Sequence, residues 1–313
     1  MSSKHRLFIV LGVALLAVAV AGSALSTSTT FKGRNGRLLY QAQVGPNTQL
    51  FTVKPDGTGV TQITHFTDHS ATDANWAPGG SRIVFTQHWD PGGPNEHFLL
   101  STINADGSGL KPLANAGRLA VGPNWLPDGR RIIYLDVSAG AGRLMIETAE
   151  GGPVRPAGIP GNGGDSACAL PSGRVAFLRP KAGSDEARAI FVSGLAGQGL
   201  KRITPWGGVA DKIDCSPDGT RIVFSKPEFG QDGKSSNVYT IRTDGTGLVQ
   251  LTHESGGEIN AGADSWSPDG TKIAYVSNKS GTYQIWTVSS DGTGATQLTK
   301  RGEAHLAAWG SHQ

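Results

Sequence analysis

The amino-acid sequence predicts an all-β protein: a six-bladed β-propeller of four-stranded antiparallel blades, closed by the C-terminal strand pairing in the first blade. Three observations predict it. A Pro-Asp-Gly turn recurs at intervals of roughly 45 residues, and a fixed period of that size marks a repeat architecture. It stands as Ser216-Pro217-Asp218-Gly219-Thr220 and Ser267-Pro268-Asp269-Gly270-Thr271, with looser copies at Ala77-Pro78-Gly79-Gly80-Ser81 and Leu126-Pro127-Asp128-Gly129-Arg130. Each copy lies between a run ending in a large residue and a β-branched or aromatic run. The two chain ends, finally, carry complementary parts of one blade. The 45 glycines and 37% hydrophobic content suit a chain of strands and turns, and no long amphipathic helical pattern interrupts it.

Residues 1–26 read as an export signal. Lys4, His5 and Arg6 precede an apolar run over residues 7–21, and the small residues Gly22, Ser23 and Ala24 follow. That is the order of a charged, an apolar and a cleavage region. Cleavage is expected after Ala21; the alternative is a retained anchor over residues 7–25, near the ~20 residues of a spanning helix. Either way the remainder is expected to be exported, periplasmic or extracellular. Residues 27–35 read as a short polar tether and residues 36–313 as the propeller, a single domain.

The first strand of each blade ends in Asn75-Trp76, Asn124-Trp125, Ser265-Trp266 or Ala308-Trp309. In the turn that follows, proline presets φ, aspartate caps its own turn and glycine takes the left-handed position. Residues 82–85, 131–134, 221–224 and 272–275 are second strands by composition and length. Residues 238–241 and 284–288 are third strands. A second turn, as Asp56-Gly57-Thr58-Gly59 or Asp291-Gly292-Thr293-Gly294, leads to a short fourth strand such as Gln297-Leu298-Thr299. Cys168 lies as far before Phe177 as Trp125 lies before Tyr134, so it is assigned a tryptophan position; Cys215, directly before Ser216-Pro217, takes the same position one blade later. The large-residue positions are then six: Trp76, Trp125, Cys168, Cys215, Trp266 and Trp309. Residues 36–40 form a second strand and residues 306–309 a first strand, so the ends clasp and leave no open edge.

At this point a resemblance is evident. Trp266-Ser267-Pro268-Asp269-Gly270, Lys272-Ile273-Ala274-Tyr275, Ile285-Trp286-Thr287-Val288, Asp291-Gly292-Thr293-Gly294 and Gln297-Leu298-Thr299 resemble the β-propeller repeats of the TolB family. The resemblance runs from Gly36 to Trp309 and is clearest in the last two blades. It implies six blades, in agreement with the count, and a binding role at the cell envelope. It covers the propeller half only; the α/β domain preceding the propeller in that family is expected to be absent. The repeat residues are scaffold, so the resemblance implies no site residue. WD-type repeats fit less well, because Trp89-Asp90 occurs once, in a loop.

Catalytic motifs are missing. No Gly-x-Ser-x-Gly elbow is present. Gly233-Lys234-Ser235 lacks the phosphate-loop glycine five residues earlier, where Glu228 stands. The Asp-Gly turns lack the alternating carboxylates of calcium loops. His65, His69, His88, His97, His253 and His305 show no zinc-like spacing. No catalytic residue, metal ligand or cofactor is therefore assigned, although carboxylates gathered at the channel mouth leave a divalent cation there as an open reading. The formal net charge of +3, with no basic stripe, excludes a nucleic-acid partner. For Cys168 and Cys215 two readings stand: a disulfide between equivalent strands of neighbouring blades, favoured by export, or two small apolar residues without a bond.

Strands alternate direction, so the Asp-Gly turns share one face and the remaining loops share the other. The insertions at residues 87–96, 179–187 and 226–236 all fall on that loop face, and insertions on one face often mark the binding side. Asp73, Asp211, Asp264 and Glu303 also arrive there. The binding-face candidates are Asp68, His69, His88, Trp89, Trp206, Glu258 and His305. The expected function is a non-catalytic exported binding module, a monomer that presents its loop face to another envelope or secreted protein or peptide. It would touch the membrane only through an uncleaved N-terminal segment. The alternative is a propeller enzyme acting on a carbohydrate or lactone through acids and histidines at the channel mouth.

Overall fold

Turn chemistry and apolar runs together build six four-stranded blades, one of them extended by a short fifth strand. The computed structural model describes residues 28–312 apart from 114–118, 139–141, 161–164, 210–211, 231–232 and 256–258. The chain opens with β1 (Ser28–Thr29). Blade one follows with β2 (Arg34–Val44), β3 (Asn47–Val53) and β4 (Thr61–Gln62). Blade two is β5 (Ser70–Trp76), β6 (Arg82–Trp89), β7 (His97–Asn104) and β8 (Lys111–Pro112). Blade three is β9 (Ala120–Trp125), β10 (Arg131–Asp136), β11 (Arg143–Thr148) and β12 (Arg155–Pro156). Blade four is β13 (Asp165–Ala169), β14 (Arg174–Lys181), β15 (Ser184–Gly194) and β16 (Lys201–Arg202). Blade five is β17 (Ile213–Cys215), β18 (Arg221–Gly230), β19 (Gly233–Arg242) and β20 (Val249–Gln250). Blade six is β21 (Ala261–Trp266), β22 (Lys272–Ser277), β23 (Gln284–Ser289) and β24 (Thr296–Gln297). The last strand, β25 (His305–His312), returns to blade one.

The second strands read as continuous apolar runs because both faces of each blade are covered. Ile83 and Phe85 pack toward blade one with Leu39, Leu50 and Trp76, whereas Val84 packs toward blade three with Trp125, Ile132 and Tyr134. The ring closes as the chain ends require. Leu38 pairs with Trp309 and Leu39 with Ala308, giving the sheet order β25-β2-β3-β4. Trp309 is buried, and its indole N–H donates to Gly36 O at 3.1 Å. The outer turns close on themselves: Asp56 Oδ1 accepts from Thr58 N at 2.9 Å and from Thr58 Oγ1 at 2.7 Å, and Asp106, Asp244 and Asp291 repeat the arrangement. Gly57 has φ 81°, and a Cβ there would lie 2.9 Å from Leu298 O, so this turn needs glycine both for its conformation and for its approach to blade six.

Three expectations change. Cys168 does not take the tryptophan position. Leu170 N donates to Arg174 O, and Ala169 pairs with Val175 as Trp125 pairs with Ile132. Blade four has a turn one residue shorter, so Ala169 fills the tryptophan position and Cys168 fills that of Asn75 and Asn124. Second, the stretches at 179–187 and 226–236 are not loops. β14 and β15 stay paired out to Lys181↔Ser184, and β18 and β19 out to Gly230↔Gly233, so each forms a projecting hairpin whose backbone groups satisfy one another. Third, residues 28–30 are no free tether: all three are buried, and β1 pairs in parallel with β17. The export signal at residues 1–26 lies outside the described residues. Among the described residues, no helix is long and apolar enough to cross a membrane.

The residue before each tryptophan position links its inner strand to the next. Asn75 Nδ2 donates to Pro123 O at 2.9 Å, and Asn124 Nδ2 donates to Ala167 O at 2.8 Å. Cys168 is disulfide-bonded to Cys215, with Cα atoms 5.6 Å apart. Asp214 Oδ2 accepts from Trp266 N at 2.7 Å, and Ser265 Oγ accepts from Trp309 N at 2.9 Å. Five staples thus join successive blades around the axis, and one of them is covalent.

Candidate functional site

Each inner strand runs toward its Pro-Asp-Gly turn, so the turns lie on one face and the β6–β7 loop and the two hairpins on the other. On that loop face, blade two gathers four of the candidates. His69 stacks between Phe66, with ring centroids 4.0 Å apart, and Trp89, at 4.2 Å; Trp89 stacks in turn on His97 at 4.7 Å. Asp68 Oδ1 lies 2.8 Å from His69 Nδ1, and this hydrogen bond holds the Asp68 carboxyl below the usual range. His88 stacks on Phe98 at 4.2 Å, and its Nε2 meets Glu96 Oε1 at 2.7 Å. Both faces of Trp89 are therefore covered. Its indole is half-buried between the two imidazoles.

The other candidates stand apart. Trp206 packs on Phe191 at 5.7 Å beneath the Arg202 guanidinium, in blade four. His305, on β25, tilts against Tyr283 at 5.0 Å, with Nε2 3.5 Å from Glu303 Oε2. Glu258 and Asp211 lie outside the described residues.

A second constellation fills the channel, and reasoning from sequence placed only its two outer carboxylates, Asp73 and Asp264. The inner strands carry a recurrent bulge. Asp73, Gly122, Ser166 and Leu306 have φ of 53°, 59°, 54° and 50°, each three residues before the strand's last inner position. Pairing slips at the same place, as between Thr72 and Asn75. Such bulges re-aim side chains, and Asp tolerates the left-handed conformation better than most residues. Asp73 is buried with Oδ1 lacking a hydrogen-bond partner, and Asp264 is buried with Oδ2 in the same state. The Lys212 ammonium contacts Asp264 Oδ1. Burial pushes Asp73 up to about 6, against the pull of Lys212, and raises Asp264 likewise. Asp214 lies beyond them toward the turn face; burial pushes it up to about 7, partly offset by the hydrogen bonds from Trp266 N and Thr30. Lys212, Asp214 and Ser265 were missed. Their signal was charge and hydroxyl in inner strands that elsewhere carry Ala, Gly and Pro. Among the described residues, no group of three or more His, Cys, Asp or Glu is placed to hold a metal ion.

Residues 182–312 match the family model of the TolB beta propeller domain. The chain carries a TolB-like β-propeller. It is similar to the Tol-Pal system protein TolB of Bordetella pertussis, 25% identical over 149 residues, which are 47% of this chain and 33% of that protein. It is also similar to dipeptidyl-peptidase 5 of Porphyromonas endodontalis, 35% identical over 91 residues, 27% of this chain and 13% of that protein. The chain thus matches a third or less of the length of these curated relatives. Among solved structures it resembles TolB from Acinetobacter baumannii, with a TM-score of 0.71 and 18% identity over 88% of this chain and 66% of that one. It resembles a putative TolB from Agrobacterium tumefaciens with a TM-score of 0.66 and 17% identity, covering 87% and 90%. At these identities the structural likeness shows the fold. The strands ahead of the matched segment, β1 to β14, complete the ring.

Proposed function

We propose that this TolB-like propeller is a non-catalytic, exported binding module whose partner is another envelope or secreted protein or peptide, held on the loop face. The contrast between the faces carries the reading. In blades one, two, five and six the turn face repeats one self-capped Asp-Gly turn, with the aspartates held below the usual carboxylate range by hydrogen bonds from their own Thr or Ser. Among the described residues the loop face differs from blade to blade, with two long hairpins and the His–Trp stack of blade two. The Tol-Pal name of the Bordetella relative supports an envelope partner. The Cys168–Cys215 bond supports export, because such bonds persist in oxidising compartments. The match to dipeptidyl-peptidase 5 covers 13% of that protein and brings no activity to this chain.

The test is charge placed on each face in turn. Asn95→Arg with Ala182→Arg alters the loop face, and Thr220→Arg with Thr293→Arg alters the turn face; all four positions are exposed. Capture from envelope extract should lose its specific partner with the first pair and keep it with the second. Loss with the turn-face pair alone would overturn the assignment.

A further inference from the structure

The segment that precedes blade one lies inside the ring. β1 lies against the inner strands β5, β9, β13, β17 and β21, with Ser28 opposite Asp214 and Thr29 opposite Cys215. Its side chains have fitted partners. Ser28 Oγ donates to Ser265 Oγ at 3.2 Å. Thr29 Oγ1 accepts from Ala169 N at 3.1 Å. Thr30 N donates to Asp214 Oδ1 at 3.2 Å, and Thr30 Oγ1 donates to Asp214 Oδ2 at 2.8 Å and lies 2.9 Å from Ser265 Oγ. All three residues are at most 4% exposed. Phe31 then packs on the core between blades two and three, and Gly33 N donates to Pro268 O at 3.2 Å, beside a Pro-Asp-Gly turn.

The direction follows from the pairing. β17 runs from the loop face toward its turn at Ser216-Pro217, and β1 is parallel to it. The chain therefore enters the ring from the loop face and leaves at the turn face. A buried carboxylate needs donors, and Asp214 takes three, from Thr30 N, Thr30 Oγ1 and Trp266 N. The site is built for an extended segment whose successive residues carry small hydroxyls.

We infer that the axial channel is a binding site for an extended hydroxyl-bearing strand, that its ligand is residues 28–30 of this same chain, and that the N-terminal segment consequently departs from the centre of the loop face. The placement stands independently of the loop-face binding reading. It deepens that reading, because a partner covering the channel mouth would meet the chain's own terminus. It also gives export processing a role. Residue 25 lies three residues from Ser28, a reach of about 10 Å, so an uncleaved apolar segment would hold the loop face against the bilayer.

The exported, processed protein tests this with two readouts. In hydrogen exchange, the Thr30 and Ala169 amides should exchange roughly 100-fold or more slowly than unprotected amides. Thr30→Val should release both and lower the Tm, and Thr30→Ser should restore them. In energy transfer, a donor on the N-terminal amine should couple more strongly to an acceptor at Asn95→Cys, on the loop face, than at Thr220→Cys, on the turn face. Labelling is selective because both native cysteines are bonded. Free exchange at Thr30 in the unaltered chain, no effect of Thr30→Val, or stronger coupling to residue 220 would overturn the inference. If Thr30→Val fails to fold, the exchange of the unaltered chain and the energy transfer still decide.

Discussion

Glu147 on β11 pairs with Ile132, in the register position that Val53, Ile103, Ile241 and Val288 fill in other blades. It is buried, neither carboxylate oxygen has a hydrogen-bond partner, and burial pushes its pKa up to about 7. A carboxyl raised in the folded state binds its proton more tightly there than in the unfolded chain. Its penalty is therefore absent below the unfolded value near 4.5, grows as pH rises, and is complete above about 7. Glu147→Ile should stabilise the protein at pH 8 by about 1–3 kcal/mol, the cost of an unpartnered buried polar group. The gain should shrink toward pH 5; thermal melts at both values check this. Asp73 and Asp214 are raised by burial in the same sense, so the Glu147→Ile chain should still lose stability as pH rises from 5 to 8. Glu147 was legible as a charge in a strand but not as a buried one, because the strand's own sequence does not say which of its faces the ring covers.

Among the elements, the inner strands decide both stability and what could be read in advance. The disulfide closes a sequence separation of 47 residues, so its loss should cost about 2–4 kcal/mol. Cys168→Ala with Cys215→Ala should accordingly lower the Tm by several degrees in urea or thermal melts, and reduction of the unaltered protein should match it. The blades themselves were legible, since Pro-Asp-Gly fixes the turn and the β-branched run fixes the strand. Cys168 was misplaced by one residue because counting back from Phe177 assumes turns of equal length. Residues 27–35 looked like a linker for a different reason. A Ser-Thr segment is polar and unpatterned until its acceptors are known, and Asp214 and Ser265 lie 184 and 235 residues from Thr30. Of the site, His69, His88 and Trp89 could be placed on one blade from spacing. The stacking of His69 on Trp89 and of His88 on Phe98, and the Lys212–Asp264 pair, join separate segments or blades, and spacing along the chain does not announce them.

At the scale of the whole molecule, the ring depends on its clasp. Trp309 is buried between the first and last blades, and its backbone and indole N–H groups bind Ser265 and Gly36. Trp309→Ala should cost about 3–5 kcal/mol. Deletion of residues 306–309 should cost more, because it also reopens the edge of β2. An unchanged melting temperature in either variant would contradict closure by β25. In the proposed reading the closed ring also separates two faces with different duties, a turn face that repeats its Asp-Gly turn in four blades and a varied loop face from whose centre the N-terminal segment departs. The most direct test of that division is photocrosslinking in the native envelope. A photoreactive side chain replaces Asn95 on the loop face or Thr220 on the turn face, one at a time. A specific protein adduct is expected from residue 95 and none from residue 220. An adduct from residue 220 with none from residue 95 would contradict that division.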